Sequence, residues 1–244
     1  IPLQLIMGRF VPILYLALFF ASLDIVLVYL LLSRIKKEFF PTITQMAIVS
    51  LLVLYAFGTT HVYVGTLGSV WHVGQIVSNF FGTAGIYVIF RKKRTLRDYI
   101  LSTSLFSVTL LGRTTIVFLT LLPMVLFLSE FLPRKNRSVK RWLSFFGRIV
   151  CIIGAPLMVM SVVFFFYNSV RFHSPLEYGY SFINEAPYLA DLRQTYGAIS
   201  IKNIPRNLWY MLAETPSLTF IDKPTLAFNL KGNSIFFLTP PFLA

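Results

Sequence analysis

Residues 10–33 read FVPILYLALFFASLDIVLVYLLLS, and Asp24 is the only charge among them. A helix of about 20 mostly apolar residues crosses the hydrocarbon of a bilayer, so this stretch reads as a transmembrane span. Arg34, Lys36 and Lys37 follow at once. Cations flanking an apolar run mark its cytoplasmic end. The pattern recurs along the chain. A second apolar run covers 43–57 and leads into the uncharged stretch GTTHVYVGTLGSVWH at 58–72. A third run covers 73–90 and ends in RKKRTLR at 91–97. Residues 99–131 form a fourth run, closed by RKNRSVKR at 134–141. Both flanks of this run are basic, and one crossing cannot join two flanks on the same side. The run is therefore expected to go out and return, turning near Gly112, Arg113 and Thr114, with arms that are tilted, re-entrant or packed inside the bundle. A last span is expected at 143–167, with Arg148 snorkelling near its inner end.

Composition agrees with this reading. The 244 residues are 56% hydrophobic and only 13% charged, with a mean hydropathy of +0.73. A soluble domain carries about a quarter charged residues and could not hide so much apolar surface. The net charge of +13 would suggest nucleic acid in a soluble protein. Here 13 of the cations lie in the three basic loops between 34 and 141, and the short turns on the opposite side carry only Arg113. That asymmetry belongs to membrane topology, and nucleic acid is not an expected partner. Cys151 has no second cysteine to pair with and, lying in an apolar run, is expected to be a buried, inert thiol.

The fold class is thus an all-α polytopic membrane protein, a bundle of about six transmembrane or re-entrant helices over 1–168. By parity, residues 169–244 form a loop-rich extracytoplasmic segment. This tail holds seven prolines and five of the nine acidic residues, which suits short helices and turns. Its end, 234–244, reads as the approach to a possible further span. The chain begins at Ile1 and ends in apolar sequence, so it is expected to be a fragment of a longer protein.

No phosphate-binding glycine loop, dinucleotide fingerprint, nucleophile elbow or zinc-spaced Cys/His cluster is present, and no metal or cofactor is implied. Arg113 is the sharpest single residue. An ionised side chain within an apolar run is costly and points to function, and a guanidinium fork matches phosphate oxygens; the plainer reading is a tip arginine reaching lipid headgroups. Asp24 reads first as a helix–helix hydrogen bond or a pair with a nearby base, and second as part of a proton or substrate path. His61, Trp71, His72 and Gln75 surround an outer turn, either as a substrate pocket or as a belt at headgroup level. Arg171, His173 and Glu177 follow the last span, with Tyr178 and Tyr180 placed to stack on a sugar ring. They form either a substrate site or an anchoring turn.

The segment YNSVRFHSPLEYGY at 167–180 resembles the Y-N-x-x-R-F-G-S-P-x-E-x-G-Y pattern of bacterial polytopic GT-C glycosyltransferases, the relatives of protein mannosyltransferases (family 39-like). IPRNLWY at 204–210 is similar to their N-x-x-Y-Y segment, and GNSIFFLTPP at 232–241 to their G-x-S-x-x-x-x-x-P. FGTTH at 57–61, VWHVGQ at 70–75 and the break at Gly112-Arg113 also look alike. The likeness runs in order along most of the chain and departs at His173, where the pattern has Gly. It implies transfer of a sugar from a polyprenyl-phosphate donor to a glycan, lipid or protein acceptor on the outer face of a bacterial plasma membrane. It also implies a general-base carboxylate in a first outer loop, which would precede Ile1, and basic residues that hold the leaving phosphate. Arg113 best fits the phosphate-side role. A lipid or solute transporter or flippase would instead show polar residues at mid-bilayer on several helices and broken helices in repeated halves. A non-catalytic membrane subunit would use the tail to bind a partner.

Overall fold

The computed structural model describes residues 12–132, 139–177, 179, 190–191, 194–195, 200–219, 225–229 and 232–239. The chain divides into two compact units, Ile1–Phe57 with His61–Leu176, and Gly58–Thr60 with Glu177–Ala244.

The first unit is helical throughout its described residues. Its helices are α1 (Ile13–Glu38), α2 (Gln45–Gly58), α3 (His61–Thr66), α4 (Val70–Ile89), α5 (Leu96–Val108), α6 (Leu121–Phe131), α7 (Val139–Ile149) and α8 (Ala155–Phe172). Three described stretches are long and apolar enough to cross a membrane: Ile13–Glu38, Thr114–Phe131 and Val139–Phe172. The 14 residues of α2 are apolar but short. The 20 residues of α4 are long enough yet carry His72, Gln75, Asn79 and Thr83. Their polarity has a packing cause. Helix α4 is wrapped by α1, α3 and α5, so its side chains meet protein, whereas many apolar side chains of α1 are exposed.

The 99–131 run does double back. Helix α5 begins on Thr95, whose N–H and hydroxyl both donate to the Asp98 carboxylate (2.8 Å each). It tightens into a 3₁₀ turn at Thr109–Leu111, breaks at Gly112-Arg113, and returns through a second 3₁₀ stretch, Thr114–Thr120, into α6. The return is fixed at the far end. Tyr99 donates to Glu130 (2.7 Å), Arg94 pairs with the same carboxylate, and the Tyr99 ring meets Phe127 and Phe131.

The basic segments after α1 and α4 meet at one end, where the last turn of α6 also lies through Glu130. The Lys92 N–H donates to Glu38 (2.7 Å), Phe39 and Phe90 pack ring to ring, and Arg34 lies over the Tyr87 ring and donates to its carbonyl. An aromatic core of Tyr99, Phe127 and Phe145, with Ile89 and Ile152, sits behind them. At the opposite end Gly68 touches Leu14, and Gly112 reaches α4.

Between these ends α4 crosses α5 closely at Gly85. A Cβ there would lie 2.6–2.9 Å from three ring atoms of the buried Phe106, and the Gly85 carbonyl accepts from the Ser102 hydroxyl (2.9 Å). Small residues at such crossings let membrane helices approach. Gly85→Val is therefore expected to lower stability in detergent by about 1–3 kcal/mol through overpacking. Gly147→Ala, whose Cβ meets nothing within 4 Å, should leave thermal unfolding unchanged or slightly raised.

Two local features differ from the sequence reading. The last helical stretch runs over 34 residues, Val139–Phe172, through a π-helical turn at Val150–Gly154, rather than over 143–167. Cys151 is exposed, not buried. The helix turns Phe145, Ile152 and Phe164 toward the bundle, and a residue next to Ile152 faces about 100° away from it.

In the second unit a 3₁₀ turn at Ile201–Asn203 leads into α9 (Ile204–Leu212). Two three-residue strands then pair antiparallel, β1 (Ser217–Thr219) and β2 (Thr225–Ala227), with Leu218 opposite Leu226. A short helix, α10 (Ile235–Leu238), follows. Glu214 ties these pieces together. Its carboxylate accepts from Trp209 Nε1 (2.9 Å) and Asn229 Nδ2 (2.6 Å), and its carbonyl accepts from Ser234 N–H (2.8 Å). The strand pair is an addition to the all-α expectation.

Candidate functional site

Arg113 owes its place to Gly112. A Cβ at Gly112 would lie 2.3 Å from Ser78 Oγ and 3.0 Å from the Gly74 carbonyl, so only glycine lets the helix break press against α4. The amides of Gly112 and Arg113 both donate to the Thr109 carbonyl (3.0 and 2.8 Å), which ends α5. The next residue is thereby presented beside the first turn of α4. There the Arg113 guanidinium carbon lies 5.9 Å from the centroid of the Trp71 ring, at the outer limit of a cation–π contact. The arginine is half-buried, and its guanidinium makes no hydrogen bond or ion pair among the described residues.

His72 is oriented by local contacts. Its Nδ1 lies 2.5 Å from the Ser69 hydroxyl, and Tyr63 meets its ring edge-on at 5.8 Å. Gln75 is half-buried, one turn beyond Trp71 on the same helix face. Trp71, His72, Gln75 and Arg113 therefore share the end of the bundle opposite the basic loops.

His61 points elsewhere. It is buried at the start of α3, with Nε2 3.2 Å from Asp24 Oδ2. The same oxygen accepts from Tyr55 OH (2.5 Å) and Asn79 Nδ2 (2.7 Å), and Asn79 also donates to Tyr55 OH (2.7 Å). Four elements, α1 to α4, each contribute one polar group. Asp24 is fully buried, and its Oδ1 has no hydrogen-bond partner among the described residues. The cluster pins the first four helices together inside the bundle. The helix–helix reading of Asp24 fits this geometry, and its partners lie 31, 37 and 55 positions away along the chain. Tyr55 and Asn79 were not among the candidates, because each is unremarkable within its own apolar run.

Arg171 and His173 lie at the C-terminal end of α8. Arg171 donates to the Tyr167 hydroxyl (3.0 Å) and lies 4.9 Å from the Phe172 ring centroid, so its own helix occupies it. His173 ends α8 in the left-handed region (φ 57°, ψ 19°), its N–H donating to the Ser169 carbonyl. Glu177 opens the second unit. The buried Asn168 donates from Nδ2 to the Pro175 carbonyl (3.3 Å) and shapes this turn. Tyr178 and Tyr180 lie outside the described residues. Glycine is the usual residue at such a helix end, since an L side chain costs about 1–2 kcal/mol there. The departure from the family pattern at His173 is thus a side chain placed where glycine is easier. His173→Gly is expected to stabilise the helix end by about 0.5–1 kcal/mol, after glycine's own entropic cost. Hydrogen exchange at Ser169–Phe172 amides should slow accordingly.

No protein-family model matches this chain, and no curated protein or solved structure matches it. The likeness to GT-C glycosyltransferases rests on the quoted motifs alone.

Proposed function

We propose that this chain is the membrane-embedded part of a GT-C-type glycosyltransferase that takes a sugar from a polyprenyl-phosphate donor. The observation that carries the reading is Arg113: a half-buried guanidinium at a helix break, stacked toward Trp71 and balanced by no described carboxylate. A lipid-linked sugar phosphate needs an apolar surface for its chain, a cation at the interface for its phosphate, and polar groups at the mouth. The outward faces of the bundle, Arg113, and His72 with Gln75 offer these in turn. In the reaction an acceptor hydroxyl oxygen bonds to the anomeric carbon and loses its proton to a base. The bond from that carbon to the phosphate oxygen breaks, and polyprenyl phosphate leaves with the electron pair. Arg113 opposes the charge that develops on the leaving phosphate. The base is not assigned to a residue of this chain. The positive-inside rule puts the basic loops in the cytoplasm and Arg113 with residues 169–244 on the outer face of a bacterial plasma membrane.

Reconstitution of the full-length protein with a polyprenyl-phosphate sugar and a membrane extract as acceptor source tests this. Phosphorus NMR should show the phosphodiester converted to polyprenyl monophosphate. Absence of turnover with every donor sugar tried would remove the transferase reading.

One observation favours a second reading. The Asp24, Tyr55, His61 and Asn79 cluster places polar groups from four elements inside the bundle, and a fifth segment is broken at Gly112-Arg113. Both are features of a transporter or flippase. Lipid-linked substrate would then change leaflets without loss of its sugar.

A further inference from the structure

We propose that the basic face of α7, formed by Lys140, Arg141 and Arg148, binds the phosphate headgroups of anionic lipids in the leaflet beside the basic loops. Three observations lead there. The first is length. The stretch Val139–Phe172 has 34 residues, about 51 Å at the helical rise, whereas the hydrocarbon takes about 30 Å or 20 residues. The π-turn and α8 supply that much by themselves, so α7 is surplus to the crossing.

The second is how α7 divides its circumference. At 100° per residue, Trp142, Phe145 and Ile149 fall on one side and pack into the aromatic core at the basic end. Val139, Leu143 and Phe146 fall on a second side and are exposed. Lys140, Ser144, Arg148 and Arg141 fill the remaining arc and are also exposed. A helix with an apolar flank for acyl chains and a basic flank beside it is built to lie along a membrane surface.

The third is charge. The described carboxylates at this end are already engaged: Glu38 by the Lys92 amide, Asp98 by Arg91 and Thr95, and Glu130 by Arg94 and Tyr99. Lys140, Arg141 and Arg148 have no ion pair or hydrogen bond among the described residues. Three cations on one arc, with an apolar stripe next to them, complement a phosphate that is itself attached to acyl chains. A lipid satisfies both halves of that surface, and free phosphate only one.

The test uses the full-length protein in nanodiscs of phosphatidylcholine with a minor fraction of phosphatidylglycerol. Native mass spectrometry reads how much phosphatidylglycerol stays bound. Each of Lys140→Gln, Arg141→Gln and Arg148→Gln should weaken retention about fivefold, the effect of one cation near an anionic surface. Lys93→Gln with Arg97→Gln, exposed cations of the neighbouring loop and the first turn of α5, should weaken it less per charge removed. Each single variant should fold as the parent does, because all three side chains are exposed. Unchanged retention in all three α7 variants would overturn the proposal. Equal losses in the loop variant would also overturn it, since diffuse charge would then be the cause. Displacement by inorganic phosphate at millimolar concentration would show that the acyl chains contribute nothing, with the same consequence. None of these readouts depends on sugar transfer.

Discussion

Arg113→Ala is expected to lower release of polyprenyl phosphate from its sugar by about 10²–10³-fold, the usual loss when one preorganised donor to a developing anion is removed. The fold should survive. The guanidinium makes no hydrogen bond or ion pair among the described residues, and the break that positions it is set by Gly112 against Ser78 and Gly74. Arg113→Lys should recover part of the loss, because a point charge remains where the planar fork is gone. Trp71→Ala should cost about tenfold, in keeping with a long cation–π contact at 5.9 Å. Steady-state transfer by reconstituted protein, read beside monodispersity and thermal unfolding, checks the series. A purely structural Arg113 would move unfolding and turnover together; the account expects turnover to move alone.

Asp24→Ala is expected to do the reverse and lower stability by about 2–4 kcal/mol, since one orphaned buried donor costs about 1–3 kcal/mol and two donors face this carboxylate. Tyr55 and Asn79 would keep their mutual hydrogen bond (2.7 Å), which limits the damage. Asp24→Asn keeps the shape and one acceptor oxygen and should cost less. Chemical unfolding in detergent measures both. The pair of variants also separates the two functional readings. If Asp24→Asn leaves unfolding untouched but stops movement of a lipid-linked substrate between leaflets, the cluster is part of a path, and the transporter reading gains.

The parts of this molecule that the sequence makes legible are those governed by the bilayer. Cations after residues 33, 90 and 133 and their near absence on the opposite side predict that these loops share an end. Contacts of Glu38 with Lys92 and of Arg94 with Glu130 bring the described ends of α1 and α6 to the loop after α4. The hairpin at 112–114 follows from the same rule and from no local propensity. What tertiary packing decides is not legible. His61 lies on a six-residue helix, and nothing local fixes whether it faces Trp71 or Asp24. The start of the last helix is hidden for another reason. Lys140 and Arg141 look like loop in a hydropathy reading, and only the 100° spacing of Phe145, Ile149 and Ile152 shows a helix already packed against the bundle. Gly at 173 in the family pattern holds a structural hint as well. It marks a left-handed helix end, which this chain forms with a histidine.

Binding of polyprenyl phosphate to the purified full-length protein is the most direct test of the central claim, that Arg113 receives the phosphate of a lipid-linked substrate. Titration of a fluorescent polyprenyl phosphate into nanodiscs should saturate. It should weaken at least tenfold in Arg113→Ala, while Gly147→Ala, whose added Cβ meets nothing within 4 Å, leaves it unchanged. Equal affinity in the Arg113 variant, or no saturable binding at all, would contradict the account.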